Sequence, residues 1–404
     1  MKFLKKIDPE DIKLNYSSGQ DINLVLPNSI VDLHSFTLYY DYQYDCQNLG
    51  VDGTAGYNNL WRSLPSLSSC IVDELRIIID GKEVSYIQEY AYLDSLLHDI
   101  NNDNCVYNNT TNSSTGYRIE STTTTDTLTL VKRTNVTGGS ILAAGRPNNE
   151  NCSINKWLGF LGQGNRYFDA RNKKVEIKIK LSPVHILYNA KSIGSSVASG
   201  NTSDLNNYVI QNIYATIKIC DYDPEKLGDQ FDFVDYKLQK GARCVKNKKT
   251  TVSTRLKNPV FWAAGTFISH NRTPIKGAEL QRSNIDWHVL EDVNQFSQYL
   301  LDSSVYFDRK GRGIQTTSFD VNNYPITPLM NNLMALQETK NVFNSPYNRA
   351  ISPAHFQHNF YVNAVDIDMA DDELKVINWN VNIDEKYVNS MGTPFLYVCY
   401  KNKV

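Results

Sequence analysis

Strict alternation of apolar and polar residues, recurring in both halves of the chain, limits what it can fold into more than any other feature. Phe36, Leu38, Tyr40, Tyr42 and Tyr44 alternate with Thr37, Tyr39, Asp41 and Gln43. Val175, Ile177, Ile179 and Leu181 alternate with Glu176, Lys178 and Lys180. Ile213, Ala215, Ile217 and Ile219 alternate with Tyr214, Thr216 and Lys218, and Ile377, Trp379, Val381 and Ile383 with Asn378, Asn380 and Asn382. Successive side chains of a strand point to opposite faces, so a period of two places one face on a core and the other in solvent. The expectation is antiparallel sheet throughout. Further strands are expected at 22–26, 70–79, 127–133, 250–256, 259–269, 280–289, 304–308, 314–319, 358–367 and 394–400. Asp80-Gly81, directly after Ile77-Ile78-Ile79, predicts a tight hairpin turn.

Composition supports an all-β reading. The 25 Tyr and 15 Phe, with abundant β-branched residues, suit a pleated, half-buried surface. The 404 residues predict two or three domains at roughly 100–200 residues each. A net charge of −2 excludes a globally basic nucleic-acid binder. The seven cysteines contain no C-x-x-C pair, which argues against a zinc ribbon or a redox dithiol and for buried free thiols. Met1-Lys2-Phe3-Leu4-Lys5-Lys6 runs into charged Asp8, Glu10 and Asp11, so no secretory signal peptide is expected. No stretch approaches the length of apolar sequence that a membrane-spanning helix needs.

Two segments depart from the β rhythm. Tyr86, Tyr90, Leu93, Leu97 and Ile100 have helical spacing, which predicts an amphipathic helix over 86–101. Val289, Val293, Phe296 and Leu300 predict a second over 289–302. Tyr90, Leu93, Leu97 and Asp99 map onto Val293, Phe296, Leu300 and Asp302 at a constant offset of half the chain, as though one β-plus-helix unit were used twice. The basic run 237–249, broken by Gly241, reads as a linker, giving a first domain at 1–240 and a second at 241–404. Polar stretches at 101–126, 134–153 and 189–207 read as long surface loops of the first domain.

Catalytic signatures are missing. The chain has no G-x-S-x-G elbow, H-E-x-x-H, Walker A loop or dinucleotide fingerprint. His355 and His358, followed by Asp366, Asp368, Asp371 and Asp372, are the nearest thing to a metal cluster. The three-residue histidine spacing would put the rings on opposite faces of a strand, so a solvated loop is the expectation. Asp32 and His34 share a strand face without a nucleophile, and His185, His270 and His288 are isolated. Glu89, Glu120, Glu176, Glu279 and Glu291 form no paired-carboxylate pattern of the kind glycoside hydrolysis needs. Lys2, Lys5 and Lys6 and the 237–249 run offer weak, non-specific electrostatic contact with nucleic acid or lipid.

Four passages carry a resemblance to a known family. They are Leu24 to Leu33, a strand turning into the next; Leu75 to Val84 followed by a helix; Val175 to Leu181 with Ser182-Pro183; and Ser318 to Leu329, a connection into a short helical stretch. Together they resemble the double jelly-roll major capsid proteins of tailless DNA phages, virophages and polinton-like viruses. The resemblance implies two tandem antiparallel jelly-roll β-sandwiches, each with a short amphipathic helix, and no catalytic, cofactor or metal residues. It implies a homotrimer of pseudo-hexagonal outline that tiles an icosahedral capsid in a virion. Partners would be the chain itself, minor capsid or penton proteins, genome or internal membrane through basic residues, and a host receptor through first-domain loops. Two other classes remain open at this point: a β-sandwich receptor- or glycan-binding spike module, and a jelly-roll glycosidase.

Overall fold

The computed structural model describes residues 2–44, 60–63, 68–101, 117–121, 128–132, 149–182, 189–192, 208–220, 227, 230–242, 248–268, 314–343, 362–383 and 393–404. These group into two compact units divided chiefly between Phe231 and Asp232, with residues 96–101 grouped with the second.

The first unit holds β1 (Lys2–Ile7), β2 (Asp21–Val25), β3 (Ile30–Tyr44), β4 (Leu60–Ser63), β5 (Val72–Ile79), β6 (Lys82–Gln88), β7 (Tyr117–Ser121), β8 (Leu128–Lys132), β9 (Asn149–Ile154), β10 (Tyr167–Asp169), β11 (Val175–Leu181), β12 (Asn189–Ser192) and β13 (Tyr208–Cys220). Helix α1 (Tyr90–Asn101) follows β6. One sheet runs β1-β13-β3-β10, with β9 also pairing β3, and the other runs β2-β11-β5-β6. β4 pairs β12 and β7 pairs β8 as separate ribbons. The stretches expected to be loops at 101–126, 134–153 and 189–207 therefore carry strands. β9 is one of these; it lies along the far half of β3, from Leu38 to Gln43.

The alternation does what the sequence says. Phe36, Leu38 and Tyr40 are buried while their neighbours are half-exposed, and Val175, Ile177, Ile179 and Leu181 are fully buried. On β13 the phase shifts. A register break between Thr216 and Lys218 turns Cys220 inward and leaves Ile219 half-exposed, against the simple period. The Asp80-Gly81 turn forms as expected, with positive φ at both residues as a two-residue hairpin of this twist requires.

Helix α1 begins at Tyr90, not 86. Residues 82–88 pair with β5, Tyr86 opposite Arg76, and the chain breaks at Glu89 with φ 50°. Tyr86 thus faces out and lies under the Arg76 guanidinium at 4.2 Å, while Tyr90, Leu93 and Leu97 are buried as the spacing predicts. The Tyr90 hydroxyl accepts the Leu158 amide at 2.9 Å, and Trp157 packs between Phe36 and Tyr90.

The second unit holds β14 (Asp232–Lys240), β15 (Lys249–Leu256), β16 (Val260–Ile268), β17 (Ile314–Val321), β18 (Tyr324–Pro325), helix α2 (Asn332–Val342), β19 (Val362–Met369), β20 (Lys375–Ile383) and β21 (Thr393–Lys403). Its sheets run β14-β21-β16-β19 and β15-β20-β17-β18. Residues 237–240, read from sequence as linker, lie in β14 and pair with β21 from Phe395 to Val398.

Number the eight sandwich strands of each unit in chain order, leaving out the two side ribbons and counting β9 and β10 as one. Both units then show the same arrangement, 1-8-3-6 facing 2-7-4-5. This is the double Greek key of a jelly roll. The duplication read from sequence is present, but in the strand order, not at the 203-residue helix offset. The counterpart of α1, between strands 5 and 6, is α2. Segment 289–302 falls in the chain between strands 3 and 4 of the second unit and lies outside the described residues.

Helix α2 has a clear start. Asn331 caps it, accepting the Met334 amide at 3.0 Å. It protects a sheet edge. Thr339 accepts the Ala364 amide at 2.8 Å, and its hydroxyl reaches the carbonyls of Ala335 (2.8 Å) and Val362 (3.2 Å). β19 is the last strand of its sheet, so this hydroxyl stands where a neighbouring strand would.

Candidate functional site

Some of the residues singled out from sequence fall within the described residues. Asp32 is fully buried on β3, and Arg166 grips its carboxylate with bonds of 2.9–3.0 Å. Lys2 lies 3.7 Å from Asp32 and donates to the Tyr167 hydroxyl at 2.5 Å. His34 is exposed, with Nε2 3.1 Å from the Gly164 carbonyl, so Asp32 and His34 do not share a site. Asp366, Asp368, Asp371 and Asp372 are exposed along β19 and the turn after it, and Asp371 pairs with Lys375. His355, His358, His185, His270, His288, Glu279 and Glu291 lie outside the described residues. Among the described residues, no group of three or more His, Cys, Asp or Glu converges to hold a metal.

Three of the glutamates fall on described elements. Glu89 marks the start of α1, its carbonyl accepting the Tyr92 and Leu93 amides. Glu176 pairs with Lys174 on the outer face of β11. Glu120 lies on β7. The basic residues are partly committed too. Lys6 pairs with Asp8 at 2.7 Å, and Lys237 donates to the Arg255 carbonyl at 2.6 Å. Cys152, Cys220 and Cys399 are buried free thiols, and burial pushes the Cys399 thiol far up. No described helix is long and apolar enough to cross a membrane.

The equivalent outer faces of the two jelly rolls differ. The 2-7-4-5 face of the first carries a charge ladder. Glu74 accepts from Lys180 (2.7 Å), Arg76 (2.7 Å) and the Tyr86 hydroxyl (2.8 Å). Burial alone would raise the Glu74 carboxyl, but these bonds outweigh it and hold it at about 2. The same face of the second is an amide and hydroxyl lattice. Asn378 and Asn380 both donate to Asp320, and they accept from Ser253 and Thr251. Asn382 donates to Thr316.

Among the described residues, the exposed large apolar side chains fall mainly in two stretches of the chain. In the first unit they are Phe3 and Leu4 on β1, and Ile12 and Leu14 in the connector after it, 80% and 91% exposed. In the second unit they are Tyr324, Ile326, Leu329, Leu333 and Met334, from β18 into the first turn of α2. Phe261 and Leu374 stand singly. Sequence reasoning missed these exposed positions, because an apolar residue in a connector reads the same whether it turns inward or outward.

Two tandem jelly rolls in one chain constitute a double jelly roll. No protein-family model matches this sequence, and no curated protein matches it. Solved structures do share its fold. The chain is similar over its whole length to PBCV-1 VP54, in a crystal structure fitted into a reconstruction of the virophage Sputnik (7% identity, 94% of that chain covered, TM-score 0.53). It is similar over its whole length to the Faustovirus major capsid protein (8%, 90%, TM-score 0.54) and to a chain of the Sputnik virophage structure (10%, 85%, TM-score 0.56). The fold expected from the four sequence passages is the fold found.

Proposed function

We propose that this chain is a major capsid protein, a non-catalytic subunit that trimerises into pseudo-hexameric capsomers and builds an icosahedral virion shell. The observation that carries the reading is the repeated 1-8-3-6/2-7-4-5 strand order, two complete jelly rolls in one chain. Two similar units in each of three copies supply six similar bodies, which a hexagonal tile requires, with closed symmetry from a single chain type. The likeness along the full length to a major capsid protein supports the same reading.

In such a shell, minor capsid or penton proteins would meet the capsomer rim, and first-domain loops would be placed to meet a host receptor. Exposed lysines such as Lys5 and Lys248 would give weak, non-specific contact with genome or lipid. The test is the solution mass of the purified chain by light scattering. A stable species of three times the 46.0 kDa chain is expected, and a monodisperse monomer would refute the proposal.

A further inference from the structure

We infer that the outer edge of β15 is a docking site for an extended acidic segment of a partner protein, which adds to the second jelly roll as a further strand. The inference goes beyond the capsid reading. It concerns one sheet edge within one jelly roll and is tested without reference to how copies assemble.

β15 is an end strand, paired along its whole length with β20 and without a register break. The direction of its backbone groups follows from β20. The Asn322 amide, just past β17, donates to the Val376 carbonyl at 2.9 Å, and the Val376 amide donates to Asn322 Oδ1 at 2.8 Å. Val376 therefore faces β17. Backbone groups alternate sides along a strand, so Ile377, Trp379 and Val381 face β15. They stand opposite Thr254, Val252 and Thr250, which spend their backbone groups on that ladder. Thr251, Ser253 and Arg255, with Lys249 at the end, turn theirs outward. A second observation agrees. The Lys237 ammonium donates to the Arg255 carbonyl at 2.6 Å, as a group lying along that edge can. Among the described residues it is the only group bonded there, which leaves the N–H and C=O groups of Thr251 and Ser253 open. The edge is also held in place. The Thr251 hydroxyl donates to Asn380 at 2.8 Å and the Ser253 hydroxyl to Asn378 at 2.5 Å.

The edge is cationic. Lys248, Lys249, Arg255 and Lys257 are exposed on or beside β15, and none is ion-paired with a described residue. From Tyr236 to Ala278 the sequence contains no Asp or Glu. On the same face, Asp320 is engaged by Asn378 and Asn380, and at the turn before β20 Asp371 is engaged by Lys375. The equivalent edge of the first jelly roll is different. There the Glu10 amide of the β1–β2 connector donates to the Asn23 carbonyl on β2 at 2.9 Å. The lysines of that face are paired, Lys174 with Glu176 and Lys180 with Glu74.

The two features together select the occupant. A second β15 from another copy would set cations against cations, which is how charged edges prevent self-pairing. A phosphate backbone would answer the charges but leave the outward carbonyls without donors. An extended peptide answers the backbone groups, and acidic side chains on it answer the charges. At about 3.4 Å per residue, Lys249 and Arg255 lie about 20 Å apart, so a segment of about seven residues spans both.

The experiment measures binding of labelled peptides to the full chain by fluorescence anisotropy. The probe is a peptide of Glu-Val repeats. A Lys-Val peptide of the same length is the charge control. Two N-methylated Glu-Val peptides carry the methyl groups on one or the other alternate set of amides. The Glu-Val peptide is expected to bind and the Lys-Val peptide not. One methylated set should weaken binding by at least about 10-fold and the other by less than about 2-fold, because only one set faces the edge. Thr251→Pro removes an outward N–H that the β15–β20 ladder does not use, a change edge strands tolerate, and circular dichroism confirms folding. It should weaken binding by at least about 10-fold, and Thr251→Val, which loses only the hydroxyl, by less than about 3-fold. The methylated peptides test the unmodified chain, so the inference stays falsifiable if a variant does not fold. Absence of Glu-Val binding, or equal binding of both methylated peptides, would overturn it. So would tighter binding of a single-stranded oligonucleotide that Thr251→Pro leaves unchanged, which would make the edge a nucleic-acid contact.

Discussion

Gly265 should not tolerate even a methyl group. It lies on β16, and a Cβ there would sit 2.2–2.6 Å from the Cε2, Cδ2 and Cζ2 atoms of Trp379. Carbon atoms in contact rest about 3.5–4.0 Å apart, so something must move by more than about 1 Å. Trp379 has little freedom to do so. It is fully buried, its indole N–H donates to the Thr317 hydroxyl at 2.8 Å, and that hydroxyl also accepts from Asn363 at 2.9 Å. Overpacking a core costs about 1–3 kcal/mol, and stranding a buried N–H about 1–3 kcal/mol more. Gly265→Ala should therefore destabilise the second jelly roll by about 3–4 kcal/mol. At about 2–4 °C per kcal/mol for a unit of this size, the melting transition should fall by about 10 °C. Tryptophan fluorescence during thermal and denaturant unfolding reads this directly. Trp379→Leu opens the space, so adding Gly265→Ala to that background should cost less than about 1 kcal/mol. A Gly265→Ala protein within about 0.5 kcal/mol of the parent, or an equal cost in both backgrounds, would refute the packing argument.

Three further outcomes are expected. Thr339→Val should cost about 1–3 kcal/mol in denaturant unfolding by leaving the buried Ala364 amide unpaired, and Thr339→Ser should restore most of it. Arg166→Ala should cost about 2–3 kcal/mol by leaving the buried Asp32 carboxylate, among the described residues, with the more distant Lys2, and Asp32→Asn in the same background should recover part of that loss. Glu74, held at about 2 in the folded chain against an ordinary value near 4.5, contributes stability that is fully present above pH 4.5 and is lost as pH falls toward 2. Glu74→Gln should flatten that limb of the stability–pH curve by about 1–2 kcal/mol, a figure reduced for partial solvent screening.

The sequence was most informative where one physical force acted alone. Period-two burial is a local rule, so the strands around Phe36, Ile177 and Trp379 were legible residue by residue. The rule failed where backbone geometry intervened, as at the β13 register break that exchanges Ile219 for Cys220. Helix periodicity extended the helix too far toward Tyr86, because an outward strand tyrosine and an inward helix tyrosine share the same spacing. The basic run at 237–249 misled for a related reason. The stems of Lys237 and Lys240 lie along sheet residues while their charges reach a carbonyl or an aromatic ring, so a strand there resembles a linker. Equivalence between the two halves was visible in topology and not in residue offsets. Strand order is set by pairings between residues far apart in the chain, which no local pattern records. The exposure of Leu14 and Leu333 was illegible for the same reason, since whether either faces solvent depends on bonds made by its neighbours.

The most direct test of the capsomer reading is negative-stain imaging of the purified, assembled chain. Six near-equal lobes in a hexagonal outline about 70–80 Å across, an estimate from sandwiches whose sheets pack about 10 Å apart, are expected from three copies with two jelly rolls each. Isolated two-lobed particles, or assemblies without threefold symmetry, would contradict it.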